Sequence, residues 1–177
     1  MQDAKWEFVH SQVLASSVMA SLQRANAYAP DVTDDQRKQL RGELTSGLRD
    51  IGSRYSKTVA GSQHEKHILE LVWRVSRHCE TALANRRLRL GIAAKALNLY
   101  LKYLWCLGRI PVPPHCPFDR RVIARLPPHV QVAWTQMDDV SEYQALVRAA
   151  AECARGESLA GWELRIYQAS SNEADGA

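Results

Sequence analysis

Lys95 and Asp119 are the two residues whose types and surroundings best suit covalent chemistry. Lys95 lies in the nearly all-apolar run GIAAKALNLYLKYLW. An amine attacks only when neutral, and apolar surroundings lower a lysine's pKa by penalising its ammonium form. Asp119 follows a proline-rich loop and directly precedes Arg120 and Arg121. A carboxylate placed there could stabilise positive charge developing on a substrate carbon. Arginines beside it could neutralise phosphates. Both residues also have plain structural readings. Lys95, Asn98 and Lys102 fall at i, i+3 and i+7, so Lys95 can snorkel from one wet stripe of a helix. Asp119 can simply cap the helix that follows it.

Other chemistry-bearing groups have weaker patterns. His64, Glu65 and His67 form HExH rather than the HExxH of zinc proteases, and read as a solvated helix start. His78-Cys79 and His115-Cys116, with Cys106, lack the short paired spacing of zinc sites, and adjacent helical residues point about 100° apart. No metal and no cofactor is expected. The four cysteines contain no CxxC and read as reduced, buried thiols in a cytoplasm.

The elements that must position Lys95 and Asp119 are helical throughout. Residues 5–28 place Phe8, Val9, Val13, Leu14, Val18, Met19 and Leu22 near a 3.6-residue period, ahead of Pro30. Thr33 and Gln36 predict a capping box for a helix lined by Leu40, Leu44, Leu48 and Ile51. Ser62 and Glu65 predict another, opening a helix that reaches about Leu83. Residues 91–107 are apolar around most of the circumference, which predicts the central helix of the domain, with Gly108 as its C′ residue. Pro111, Pro113, Pro114 and Pro117 stiffen the loop before Asp119. Asp139 and Glu142 predict a third capping box, for a helix through about Arg155, and residues 159–168 predict a last amphipathic helix. The fold class expected is all-α, a single domain over residues 1–169 with a disordered tail at 170–177.

The order of GIAAK, an apolar helix, a proline-rich turn, PFD and a basic helix resembles the core of the helix-hairpin-helix DNA glycosylase superfamily. The likeness covers residues 91–125. It implies that Lys95 is the nucleophile that attacks a sugar C1′ and that Asp119 sits beside it. DNA repair by base excision is the function this implies. A base that reacts must leave the stack for an apolar pocket, and Tyr100, Tyr103, Trp105 and Phe118 are the expected walls, although at helical spacing such aromatics also read as core.

Charge agrees with a polyanionic partner. The segment from Arg86 to Arg125 holds nine basic residues against the single Asp119, a local charge of +8, so the rest of the chain carries −4 of the net +4. Arg109, Arg120, Arg121 and Arg125 are the expected nucleic-acid contacts, with DNA the expected partner and homo-oligomerisation left open. The polar start, with Asp3, Lys5 and Glu7, gives no secretory signal, and no run approaches the roughly 20 apolar residues of a membrane span. The alternative function is a non-enzymatic helical interaction module whose basic segment meets an acidic protein surface.

Overall fold

The apolar run at the centre of the chain becomes α4 (Leu90–Cys106), and three earlier helices are wrapped on it: α1 (Gln2–Leu22), α2 (Asp34–Gly52) and α3 (Gly61–His78). A computed structural model describes the chain except for Met1, Arg24, Gly176 and Ala177. The rest of the chain forms the four-residue α5 (Arg120–Ile123), α6 (Val140–Ala154) and α7 (Leu159–Asp175), with α5 and α6 both packed on α7. The all-α expectation holds. Among the described residues the only β pairing is the isolated bridge between Tyr28 and Leu83. No described helix is long and apolar enough to cross a membrane.

Burial follows the hydrophobic pattern in α4 and in the helices packed on it. Ile92, Ala93, Ala96, Leu97, Leu101 and Leu104 are all buried, as are Leu14 and Val18 of α1 and Leu40, Leu44 and Leu48 of α2. The predicted C′ glycine ends α4 as expected. Gly108 has φ +67°, its N–H donates to the Trp105 carbonyl at 2.8 Å, and the Arg109 N–H donates to the Leu104 carbonyl at 2.9 Å. That pairing satisfies carbonyls the helix leaves open, and glycine adopts the left-handed conformation without a Cβ penalty. The Thr33–Gln36 capping box is formed in both directions.

Several sequence expectations are displaced. α1 stops at Leu22, short of residue 28, because residues 27–29 pair with 82–84: the Ala29 N–H donates to the Ala82 carbonyl and the Ala84 N–H to the Ala27 carbonyl, each at 2.9 Å. Phe8 and Met19 lie on the solvent side of α1, more than half exposed. α3 opens after Ala60 with no side-chain cap, so the Ser62–Glu65 box is not formed, and the helix ends at His78 rather than Leu83. Asp139 caps α6 by accepting from the Ser141 N–H at 2.7 Å. α7 continues into the stretch expected as a tail, being helical through Asp175. The end of that stretch, Gly176 and Ala177, lies outside the described residues.

His64 and His67 are not at a solvated helix start. They are 0% and 4% exposed and belong to a buried polar cluster. The Tyr55 hydroxyl lies 2.7 Å from His64 Nδ1 and 2.9 Å from His67 Nδ1. Across the core, Asn98 Nδ2 donates to the Tyr143 hydroxyl at 3.1 Å, and that hydroxyl lies 2.9 Å from His115 Nδ1. The His64 and His115 rings meet edge to face with centroids 4.8 Å apart, which joins the two halves. The proline-rich loop is therefore part of the core, since His115, Cys116 and Phe118 are all buried. Burial pushes the His64 imidazole down to about 3, helped by repulsion from His115, and pushes His115 down to about 4 against the opposing charge of Glu65.

A histidine of ordinary pKa near 6.5 in the unfolded chain, held neutral in the fold, favours unfolding once the solution falls below that value. Stability is then complete above pH ~6.5 and declines as pH falls towards about 4, by up to about 1.4 kcal/mol per pH unit for each such histidine. Urea unfolding at steps between pH 7.5 and 4.5 checks this, and a flat profile between 6.5 and 5 contradicts neutral burial of the pair.

Candidate functional site

Three elements converge on Lys95. α4 supplies the lysine in its second turn. The loop after the prolines delivers Asp119, whose carboxylate oxygen Oδ1 accepts from the backbone N–H groups of Arg121 at 2.9 Å and Val122 at 3.0 Å, so the carboxylate is fixed as the N-cap of α5. The third element is the irregular segment from Gln131 to Asp138, docked on the start of α4. The Gly91 N–H donates to the Met137 carbonyl at 2.9 Å, Arg89 donates to the Thr135 carbonyl at 2.8 Å, and the Leu90 N–H donates to the Asp138 carboxylate at 3.3 Å. The Leu90 and Gly91 bonds use backbone donors that the first turn of a helix leaves unsatisfied, and the Arg89 bond comes from its guanidinium. They place the Trp134 indole over Lys95, with the ammonium 3.9 Å from the ring centroid.

Lys95 and Asp119 line one cavity of about 510 Å³, together with Arg120, Arg121, Trp134 and Thr135. They also line a second, of about 390 Å³, whose further walls include Leu99, Tyr103, Pro117 and Tyr167. A third, of about 400 Å³, shares Arg120, Trp134 and Thr135 with the first and is closed by Ile123, Gln131 and Val132. Burial lowers the Lys95 pKa, and the Asp119 charge opposes that shift. The lysine is thereby moved towards the neutral amine, while the indole face favours its charged form.

On the stripe shared by Lys95, Asn98 and Lys102, only Lys95 remains partly open, since the other two are buried. Asn98 is wholly buried against Tyr143, and Lys102 is buried in an ion pair with Glu163 of α7, its Nζ 2.5 Å from Oε2. Glu163, on α7, lies 61 positions further along the chain, out of reach of any local pattern. Burial raises the Glu163 pKa and Lys102 counteracts that.

The expected nucleic-acid contacts separate. Arg120 and Arg121 stand exposed at the rim of the Lys95 cavity, and the Arg121 guanidinium is 5.8 Å from the Tyr167 ring centroid. Arg125 is exposed beyond the far end of α5 and lines none of the three cavities. Arg109 lies at the other end of α4, about 20 Å along it, where its guanidinium stacks 3.9 Å from the Trp6 ring centroid. The +8 of the segment is also smaller in space than in sequence. Arg86 pairs with Glu80 at 2.8 Å, Arg87 with Asp138 at 3.0 Å, and Lys102 with Glu163.

Of the four aromatics expected as pocket walls, Tyr103 lines the second cavity. Tyr100 is buried and shares a 2.7 Å hydrogen bond with His10, at the Arg109 end of α4. Phe118 is buried edge-on to Tyr143, with centroids 5.7 Å apart. Trp105 is half-buried and lines none of the three cavities. Sequence reasoning missed Trp134, Glu163 and Tyr167. The one signal for Trp134 was a tryptophan within the stretch 127–139 that follows Pro127 and Pro128, too short and irregular to be a core helix. His78, considered above as a ligand, instead faces Glu43, 3.3 Å from Nδ1. Among the described residues no group of three or more His, Cys, Asp and Glu converges to hold a metal ion. The chain was compared with protein-family models, curated proteins and solved structures, and none matches.

Gly91 is the residue on which the docked segment depends. A Cβ there would lie 1.9 Å from the Trp134 carbonyl oxygen and 3.3 Å from Met137 Cβ. Backbone cannot yield as a flexible side chain does, so Gly91→Ala pushes the segment off α4. The expected result is a loss of about 1–3 kcal/mol in urea unfolding, a change in tryptophan emission, and a rise in the Lys95 pKa as water reaches it. Unchanged stability and emission would refute the docking constraint.

Proposed function

We propose that this protein binds nucleic acid, DNA in the first place, at the Lys95–Asp119 cavity and excises a base there as a glycosylase with lyase character. The observation that carries the reading is that Lys95 and Asp119, remote in sequence, line the same cavity with Arg120 and Arg121 at its rim. The likeness of residues 91–125 to the helix-hairpin-helix glycosylase core points to the same two residues.

The chemistry follows from the groups present. Arg120 and Arg121 hold backbone phosphates on either side of one nucleotide. Lys95, once its ammonium has given a proton to water, forms a bond from Nζ to C1′ as the bond from C1′ to the base breaks. The departing base takes the bonding pair and a proton. Opening of the C1′–O4′ bond, with O4′ taking up a proton and nitrogen losing one, leaves an imine on Lys95. Asp119, fixed by two backbone N–H groups, faces the positive charge that develops at C1′. The second reading is an interaction module, and it draws on Leu69 and Trp73 of α3, which are 41% and 60% exposed one turn apart.

Borohydride trapping separates the two readings. With DNA carrying a damaged base or an abasic site, the wild type gives a covalent adduct. Lys95→Ala abolishes it, and Lys66→Ala, on the exposed side of α3, leaves it. Asp119→Asn keeps the cap and slows trapping about a hundredfold. Equal trapping by wild type and Lys95→Ala, or none across a panel of lesions, removes the enzyme reading.

Binding itself has a salt signature. Replacing Arg120 and Arg121 together by Ala flattens the slope of log K against log salt by about 2, one unit for each lost phosphate contact, whereas Arg109→Ala changes it little. Titration at several salt concentrations measures this, and an unaltered slope in the double variant contradicts a phosphate role for the pair.

A further inference from the structure

We infer that the three joined cavities form a track for single-stranded nucleic acid, in which Trp134 is a stacking platform for the base next to the one that reacts. The inference rests on the nucleic-acid part of the reading above and specifies its substrate as an unpaired strand. The cavities adjoin through shared walls. Trp134, Thr135 and Arg120 are common to the first pair, and Lys95 and Asp119 to the second. Each has a volume, about 400, 510 and 390 Å³, within the range of small-molecule sites. A strand laid along them passes an aromatic partition and a cationic rim in alternation, which is how sequence-tolerant single-strand sites are built.

Trp134 fits the platform role for two reasons. Its indole is half-buried, so ring surface remains open beyond the part that carries Lys95. The residues that follow Trp134, namely Thr135, Met137 and Asp138, accept hydrogen bonds from Arg89, Gly91 and Leu90, so the ring is presented from an anchored segment and little ordering is left for binding. Charge is complementary. Lys95, Arg120 and Arg121 face the track against the single charge of Asp119, since its other acid, Glu163, is paired with Lys102. A base enters slots walled in this way only when it is unpaired, because in a duplex both its faces are stacked and its edge is paired.

The test compares a dye-labelled oligothymidylate with the same strand paired to oligoadenylate, by fluorescence anisotropy at low salt. The wild type is expected to bind the single strand about tenfold more tightly. Trp134→Ala should weaken single-strand binding about tenfold and leave duplex binding as it was. Trp134→Phe should keep most of the preference, which guards against a folding defect in the alanine variant, and Trp73→Ala should change nothing. Duplex bound as well as single strand, a preference that survives in Trp134→Ala, or displacement of the strand by polyglutamate at matched charge overturns the inference. Lys95-dependent trapping on duplex and single strand alike sinks the track and leaves the excision reading. A Trp134-dependent strand preference without Lys95-dependent trapping sustains the track and removes excision.

Discussion

Residue 91 carries no Cβ, and the space one would fill is taken by the carbonyl oxygen of Trp134. This close approach lets the segment from Gln131 to Asp138 satisfy the opening turn of α4 with backbone and carboxylate groups. The same contact sets the indole over Lys95 and forms the wall shared by two of the three cavities. The amine's environment is thus fixed by a backbone contact one helical turn away. α4 is buried along most of its length, packed against α1, α2 and α3 and tied to α7 through the Lys102–Glu163 pair.

Polar groups inside the fold are matched to one another. Lys102 and Glu163 are both nearly sealed from water and held in direct contact, the arrangement that limits the cost of burying two charges. The histidine–tyrosine cluster takes the other course. His64 and His115 lose their charge, and hydroxyl groups of Tyr55 and Tyr143 take their ring nitrogens. Asn98 also acts on the His64 imidazole, where its hydrogen bonding opposes the lowering that burial imposes. The proline-rich loop reaches Asp119 by passing through this cluster, so the position of the carboxylate is tied to the packing of the core and not to a surface excursion.

Asp119 serves two purposes with one carboxylate. Oδ1 closes the start of a four-residue helix too short to hold itself, and the charge bears on Lys95 across the cavity. Arg120 and Arg121 are positioned by the same cap, because they are the first two residues of that helix. The carboxylate and the two rim arginines are therefore set by the packing of α5 between its proline-rich entry and α7. The stacked Arg109 and Trp6 belong to a separate place at the other end of α4.

What the sequence determined was local. The apolar circumference of residues 91–107 specified α4 to within a residue at each end, Thr33 and Gln36 specified the start of α2, and Asp119 specified the start of α5, because periodicity and capping act over one or two turns. Lys95 and Asp119 were legible as a pair worth weighing from residue type and the order of elements. Tertiary structure alone decided the rest. Asn98 and Lys102 share a helical stripe with Lys95, yet whether that stripe is wet depended on α7 and on Glu163, which no short-range rule connects to them. Trp134 became the neighbour of Lys95 only through a glycine that admits a distant backbone. Arg86, Arg87 and Lys102 counted as a basic run in sequence and lost much of that charge to Glu80, Asp138 and Glu163 in space. Burial, ion pairing and cavity walls arise between segments far apart in the chain, and each requires two surfaces to meet, which a one-dimensional pattern does not encode.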